Sequence, residues 1–110
     1  AGPASEGMFV TLPADFAADP ANAALVKAFA DNKRDVNGPF QMPAYSGVKI
    51  IADAIAGAKS TDPAKVAAYV HKNIFHTPIG EVSYDAQGDL KAFKFVVFIW
   101  HKDATKTAAN

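Results

Sequence analysis

Hydrophobic positions along the chain change their spacing twice, and these changes predict strands at the two ends with helices between them. Near the N-terminus, Glu6–Leu12 is a short apolar run that stops at Pro13, which predicts a buried strand. Toward the C-terminus, Ile79–Tyr84 alternates between apolar and polar residues, while Phe93–Trp100 alternates first and then becomes continuously apolar. These runs predict two further strands, the last of them buried on both faces over its second half.

Between the strands, apolar residues recur at the spacing of one helix face. Asp19-Pro20 and Asp62-Pro63 each predict a helix start, because aspartate caps a helix N-terminus and proline fits the first turn. A further helix is predicted to begin at Pro43 and to end near Gly57. The apolar stripes of the three helices are Leu25, Val26 and Phe29; Tyr45, Val48, Ile51, Ala52 and Ile55; and Val66, Tyr69 and Val70.

Turn-forming residues separate the last two strands and also dominate the C-terminal tail. Asp85–Asp89 has the composition of a plain turn and lacks the further oxygen ligands and final glutamate of a calcium loop. The small, polar tail from Asp103 to Asn110 is expected to be mobile or frayed. The predicted order is therefore strand, three helices, and a strand–turn–strand unit, which is an α/β arrangement.

Composition limits the chain to one domain's worth of material and excludes several classes of partner. The chain has 110 residues, of which 50% are hydrophobic and 20% charged, so it is too apolar for a disordered tail. Eleven lysines and arginines balance eleven aspartates and glutamates, which leaves no basic surface for nucleic acid. No apolar run reaches the roughly 18–20 residues that a bilayer requires.

Residues that could carry catalysis or bind a metal do not form a recognisable motif. There is no cysteine, which removes thiol chemistry and cysteine-ligated metals. His71 and His76 lie five residues apart across a predicted helix end, and His101 is distant, so we predict no metal. Ser46 precedes Gly47 inside a predicted helix and not in a nucleophile elbow. We therefore predict no cofactor and no enzymatic activity.

One aromatic residue lies outside the periodic core patterns. Phe40 follows Gly38-Pro39 in a loop just before a helix, whereas the aromatics of Phe93–Trp100 are expected in a core. Loop aromatics at helix starts often form ligand walls, and packing over the helix end is an equal alternative on physical grounds.

Several segments together resemble a known family. They are EGMFVTLP, DPANAALVKAF, GPFQMPAYSGVKIIADAI, TDPAKVAAYV and, most specifically, GEVSYDAQGDLKAFKFVVFIWHKD. These segments cover nearly the whole chain and resemble the C-terminal third of periplasmic leucine/isoleucine/valine-binding proteins. Those proteins are the substrate-binding subunits of bacterial branched-chain amino-acid ABC transporters.

The resemblance implies the C-terminal part of a two-lobed type I periplasmic-binding-protein fold, with a ligand closed between the lobes. Residues 1–12 and 93–102 would supply strands of the C-terminal lobe, and residues 17–89 would lie mainly in the N-terminal lobe. The implied function is capture of a branched-chain amino acid in the periplasm and delivery to an ABC permease. Of the family's ligand-binding residues, the resemblance assigns one to this chain, Phe40.

Two other functions and one structural expectation remain open at this point. A ligand-sensing regulator of the same fold and an autonomous α+β interaction domain are the alternative functions. The chain starts at Ala1 without an initiator methionine, so either a signal segment was removed or the chain is cut from a longer protein. Because its apolar stripes lack a facing sheet, we expect a swapped oligomer or association with the missing N-terminal portion.

Overall fold

The computed structural model describes residues 2–109, which form two compact units. Unit 1 consists of the residues up to Ala14 and those from Lys94 onward, and unit 2 consists of Asp15–Phe93. The strands are β1 (Met8–Pro13), β2 (Phe75–Thr77), β3 (Gly80–Val82), β4 (Phe95–Trp100) and β5 (Lys106–Ala108), and the helices are α1 (Ala23–Asp31), α2 (Gln41–Ala58) and α3 (Pro63–Lys72). Ala1 and Asn110, which the predicted 1–110 domain includes, lie outside the described residues.

Unit 1 is a three-stranded antiparallel sheet in the order β1-β4-β5. The register runs from Met8 opposite Trp100 to Pro13 opposite Phe95, so strands from the two ends of the chain are direct neighbours. The strands predicted at both ends are present, but the prediction that the N-terminal strand is buried is wrong, because Met8 and Phe9 of β1 are 56% and 71% exposed. The prediction of a frayed tail is wrong for Lys106–Ala108, because this segment pairs with the second edge of β4 and forms β5.

The last predicted strand is only partly buried in this chain. Phe98 is buried, whereas Phe95 and Val97 on the opposite face of β4 are exposed. The prediction of burial on both faces is therefore wrong for the described residues. The predicted strand–turn–strand unit is also divided between two sheets, since β3 pairs with β2 in unit 2 and β4 pairs with β1 in unit 1.

Unit 2 contains the three helices and the β2–β3 hairpin. Both predicted caps are confirmed: the Asp19 carboxylate accepts the Ala21 N–H at 2.9 Å, and the Asp62 carboxylate accepts the Lys65 N–H at 3.0 Å. The Asp19 cap starts a short 3₁₀ turn, Pro20–Asn22, and α1 follows it. Helix α2 begins two residues before the predicted start at Pro43 and continues one residue beyond Gly57.

The core of unit 2 lies on one face of α2. Ile50 and Ala54 pack there with Phe75 and Val82 of the hairpin, and partly buried residues of α3 surround them. The apolar stripe predicted for this helix is the neighbouring one, and its residues Val48 and Ile51 are 70% and 56% exposed, as expected for a stripe without a facing sheet. Helix α2 is apolar on two faces, and α3 with the hairpin covers the Ile50 face.

Candidate functional site

Phe40 stands at the N-terminal end of α2, on the short connection from α1. Its carbonyl accepts the Ala44 N–H at 2.9 Å, which makes Phe40 the N-cap residue, although its side chain has no hydrogen-bonding group to cap the helix. The Phe40 side chain is 64% exposed. The structure therefore places the aromatic ring at a helix start, as the sequence predicted, and leaves most of the ring open.

The connection before Phe40 is fixed by local hydrogen bonds and by one buried anchor. The Asp35 carboxylate accepts the backbone N–H of Asn37 at 2.9 Å and its side-chain amide at 2.7 Å, which closes an Asx turn. Val36 is buried, and Gly38 lies directly against the Gln41 side chain, so a larger residue at position 38 would displace it. The Asx turn, buried Val36 and the close contact at Gly38 thus fix the backbone of the connection that leads to Phe40.

The first turns of α2 hold the other side of the helix in place. Met42 and Ser46 are almost fully buried, one and two turns along the face that continues to Ile50. Phe40, at the same end of α2, stays exposed while this face is buried. A helix end fixed in this way holds the backbone of one exposed apolar residue in place, and pre-formed apolar walls are typical of ligand sites.

A recess of about 310 Å³ lies between α1 with the residues just after it and the first turns of α2. Its walls are largely apolar, and the rings of Phe29 and Tyr45 meet edge to face with centroids 5.7 Å apart. The recess is lined by Leu25, Ala28, Phe29, Asn32, Arg34 and Tyr45. Phe40 is not one of its lining residues, so the structure does not join this recess to the predicted site residue. The sequence predicted Phe29 and Tyr45 as apolar-face residues of two separate helices. It did not predict a recess between those helices.

Each of the three histidines contacts a different partner, and none of them contacts another histidine. The His71 ring donates to the Asp85 carbonyl at 3.0 Å, His76 faces Glu81 across the β2–β3 hairpin at 3.4 Å, and His101 belongs to unit 1. Within residues 2–109, no three histidine or acidic side chains gather in a way that could hold a metal ion.

The remaining candidates of the sequence occupy ordinary structural positions. In the turn after β3, the Asp85 carboxylate accepts the N–H groups of Gln87 and Asp89, each at 2.9 Å, so it caps the turn from within. Ser46 lies inside α2, as predicted, with its hydroxyl fully buried. None of the helices in the described part of the chain is long and apolar enough to cross a membrane.

Comparison with curated proteins identifies relatives over the entire chain. The chain is 51% identical over 107 residues to the leucine-, isoleucine-, valine-, threonine- and alanine-binding protein of Pseudomonas aeruginosa, a match that covers 97% of this chain and 29% of that protein. It is 40% identical over 110 residues to the leucine-specific-binding protein of Salmonella typhimurium, covering all of this chain and 30% of that protein. The chain thus spans less than a third of the length of these relatives. No protein-family model matches it.

Comparison with solved structures supports the same assignment at the level of the fold. The crystal structure of a leucine-binding protein from Thermotoga maritima matches 99% of this chain and 31% of its own, with a TM-score of 0.78 and 23% identity. The described α/β arrangement is therefore part of the periplasmic-binding-protein fold. From its relatives and its fold, the chain belongs to the family of leucine/isoleucine/valine-binding proteins, of which it represents a segment of 29–30% of the full length.

Proposed function

We propose that this chain is part of a substrate-binding protein that captures branched-chain amino acids in the periplasm and delivers them to an ABC permease. The observation that carries the proposal is the 51% identity over 107 residues to a protein named for binding leucine, isoleucine, valine, threonine and alanine. A protein with this role binds and releases its ligand unchanged. The proposal therefore includes the absence of enzymatic turnover.

The division into two units supports a mechanism of lobe closure. We assign residues 1–12 and 93–102 to the C-terminal lobe of the complete protein and residues 17–89 to its N-terminal lobe. The chain passes between the units twice, once after Ala14 and once before Lys94. Two such passages allow each unit to keep its own hydrogen bonds while the connecting residues change conformation, which is how hinge closure around a ligand works.

Phe40 is the residue of this chain that we assign to the ligand cleft. Its exposure, its fixed position at the start of α2 and the resemblance of the GPF segment to the family's aromatic position support this role. The ring would contact the aliphatic side chain of the bound amino acid. Burying a leucine-like side chain contributes about 1.5–3 kcal/mol in all, shared among several wall residues. Truncating one wall residue should cost about 1 kcal/mol, or roughly a fivefold loss of affinity.

Titration calorimetry with leucine tests this assignment in the complete polypeptide that carries this segment. Phe40→Ala should weaken leucine binding about fivefold, and Phe40→Leu should weaken it less. Ile74→Ala is the matched control, because Ile74 is an apolar residue of unit 2 with 62% exposure, close to that of Phe40. Unchanged affinity in Phe40→Ala would remove the ring from the site, and equal losses in both alanine variants would show a general effect of truncation.

We further propose that the exposed apolar faces of the chain are covered by the part of the polypeptide that the relatives possess and this chain lacks. Val48 and Ile51 of α2 and Phe9 of β1 are all more than half exposed. Leaving such patches in water costs about 25 cal/mol per Å². Light scattering should show association of the isolated chain, through a swapped oligomer, and a one-to-one complex once the remaining segment is added. A compact monomer in both cases would contradict the proposal.

A further inference from the structure

Glu6, two residues before β1, is joined to His101 and Lys102, the two residues that follow β4, by hydrogen bonds that span 95 and 96 positions of the sequence. One carboxylate oxygen of Glu6 lies 3.0 Å from Nδ1 of His101, and the other accepts the Lys102 backbone N–H at 3.0 Å. The neighbouring Gly7 N–H donates to the Trp100 carbonyl at 2.9 Å. Both carboxylate oxygens of Glu6 are therefore hydrogen-bonded. They lie at the end of the β1–β4 ladder where Met8 pairs with Trp100.

The second ring nitrogen of His101 contacts a hydroxyl group, which can act as a hydrogen-bond donor or as an acceptor. Nε2 of His101 lies 3.0 Å from the Thr107 hydroxyl on β5. The carboxylate of Glu6 can only accept, so Nδ1 of His101 carries a proton in either charge state of the ring. A hydroxyl can donate to the neutral Nε2 and accept from the protonated one, so ionisation of the ring requires only rotation of the Thr107 hydroxyl.

We propose that Glu6, His101 and Thr107 form a clip that keeps this end of the sheet closed in both charge states of His101 and opens when Glu6 takes up a proton. Protonation of Glu6 removes the negative charge and turns one acceptor oxygen into a donor. That oxygen would then face either the His101 N–H or the Lys102 N–H, both of which are donors. The clip thus responds to protonation of Glu6 and does not respond to a change in the charge of the His101 ring.

The charges and hydrogen bonds around Glu6 favour its ionised form, in which the clip is closed. The hydrogen bond from His101, followed by that from the Lys102 backbone, holds the pKa of Glu6 below its ordinary value, against smaller opposing effects, first of desolvation and then of the Asp103 charge. Because the folded pKa lies below the unfolded one, the stabilisation is present above the ordinary glutamate range and is lost as the pH falls through the lowered value. The Asp103 carboxylate is engaged by Thr105, and the Lys106 ammonium lies 5.2 Å from the Phe98 ring centroid.

Nitrogen–proton NMR of the chain across the acid range tests the clip directly. The Lys102 amide resonance should move in a single step at a pH below the ordinary glutamate range and should stay constant while the His101 ring titrates. Glu6→Gln should abolish the acid step. Glu81→Gln is the matched control, because Glu81 pairs with His76 at 3.4 Å and both side chains are exposed, and it should leave the step unchanged.

Two results would overturn the proposal. The Lys102 resonance could move together with the His101 ring, which would mean that histidine ionisation opens the clip. Alternatively, the acid step could persist in Glu6→Gln or disappear in Glu81→Gln, which would assign the step to another carboxyl group. The titration of the unsubstituted chain requires no variant, so the first result is decisive even if Glu6→Gln fails to fold.

Discussion

Gly57 provides the space in which α3 packs against α2. A Cβ atom built on Gly57 would overlap the outer end of the Tyr69 ring and would lie 2.7 Å from Cε1. Tyr69 is held in this position from its other side, where its ring packs edge to face on buried Phe75 with centroids 6.5 Å apart. Gly57→Ala therefore forces the Tyr69 ring to leave its place in the core of unit 2.

Two opposing terms decide the effect of Gly57→Ala on the free energy of unfolding. Alanine in place of glycine inside a helix stabilises by about 1 kcal/mol. Forcing an extra carbon into a packed contact costs about 1–3 kcal/mol. The packing term is the larger, so we expect Gly57→Ala to lower the free energy of unfolding by about 1 kcal/mol.

Urea denaturation followed by far-ultraviolet circular dichroism measures this change, and the same helix supplies the control. Gly47 of α2 has no atom within 4 Å of a Cβ placed on it, so Gly47→Ala should stabilise by about 1 kcal/mol. In a Tyr69→Ala background the obstruction is gone, and Gly57→Ala should become stabilising by a similar amount. If Gly57→Ala stabilises the unsubstituted chain as much as Gly47→Ala does, the close approach of Tyr69 is refuted.

Three further substitutions test other parts of the structure. Asp62→Ala removes the carboxylate that accepts the Lys65 N–H and should lower the free energy of unfolding by about 1 kcal/mol in urea; no change would contradict the cap. Phe75→Ala empties the centre of the unit 2 core and should cost about 3–5 kcal/mol in the same assay, and a cost below about 1 kcal/mol would mean that Phe75 is not buried. The Thr105 hydroxyl donates to Asp103 at 2.6 Å and, with the Thr105 backbone, holds the pKa of Asp103 below its ordinary value. Thr105→Val should therefore raise the pKa of Asp103 in a carbon NMR titration, and an unchanged value would exclude that hydrogen bond.

Features determined by neighbouring residues could be predicted from the sequence. Asp19-Pro20 and Asp62-Pro63 carry a capping side chain and a helix-compatible proline together, and both caps are present. The position of Phe40 at a helix start follows in the same way from the turn-forming Gly38-Pro39 before it. Its role in binding stays a prediction, because ligand contacts depend on residues outside this chain.

Features determined by distant partners could not be predicted. Helix α2 carries apolar residues on two faces, so its spacing alone did not distinguish the buried Ile50 from the exposed Val48. The segment Lys106–Ala108 has no strand pattern of its own and becomes a strand through pairing with β4. The contact between Glu6 and His101 joins residues 95 positions apart, and no local signal announces it.

The antiparallel pair of β1 and β4 has a consequence for the order in which the chain folds. Closing a flexible loop of the 79 residues from 15 to 93 costs about 4 kcal/mol of chain entropy before any strand contact forms. Folded unit 2 removes most of this cost, because Phe16 and Phe93 at its two ends meet with ring centroids 6.0 Å apart. Just beyond them, the Ala14 N–H donates to the Lys94 carbonyl at 2.9 Å. Folding of unit 2 therefore brings together the two chain segments that form unit 1, and pairing of β1 with β4 should spread from Pro13 and Phe95 toward the chain termini.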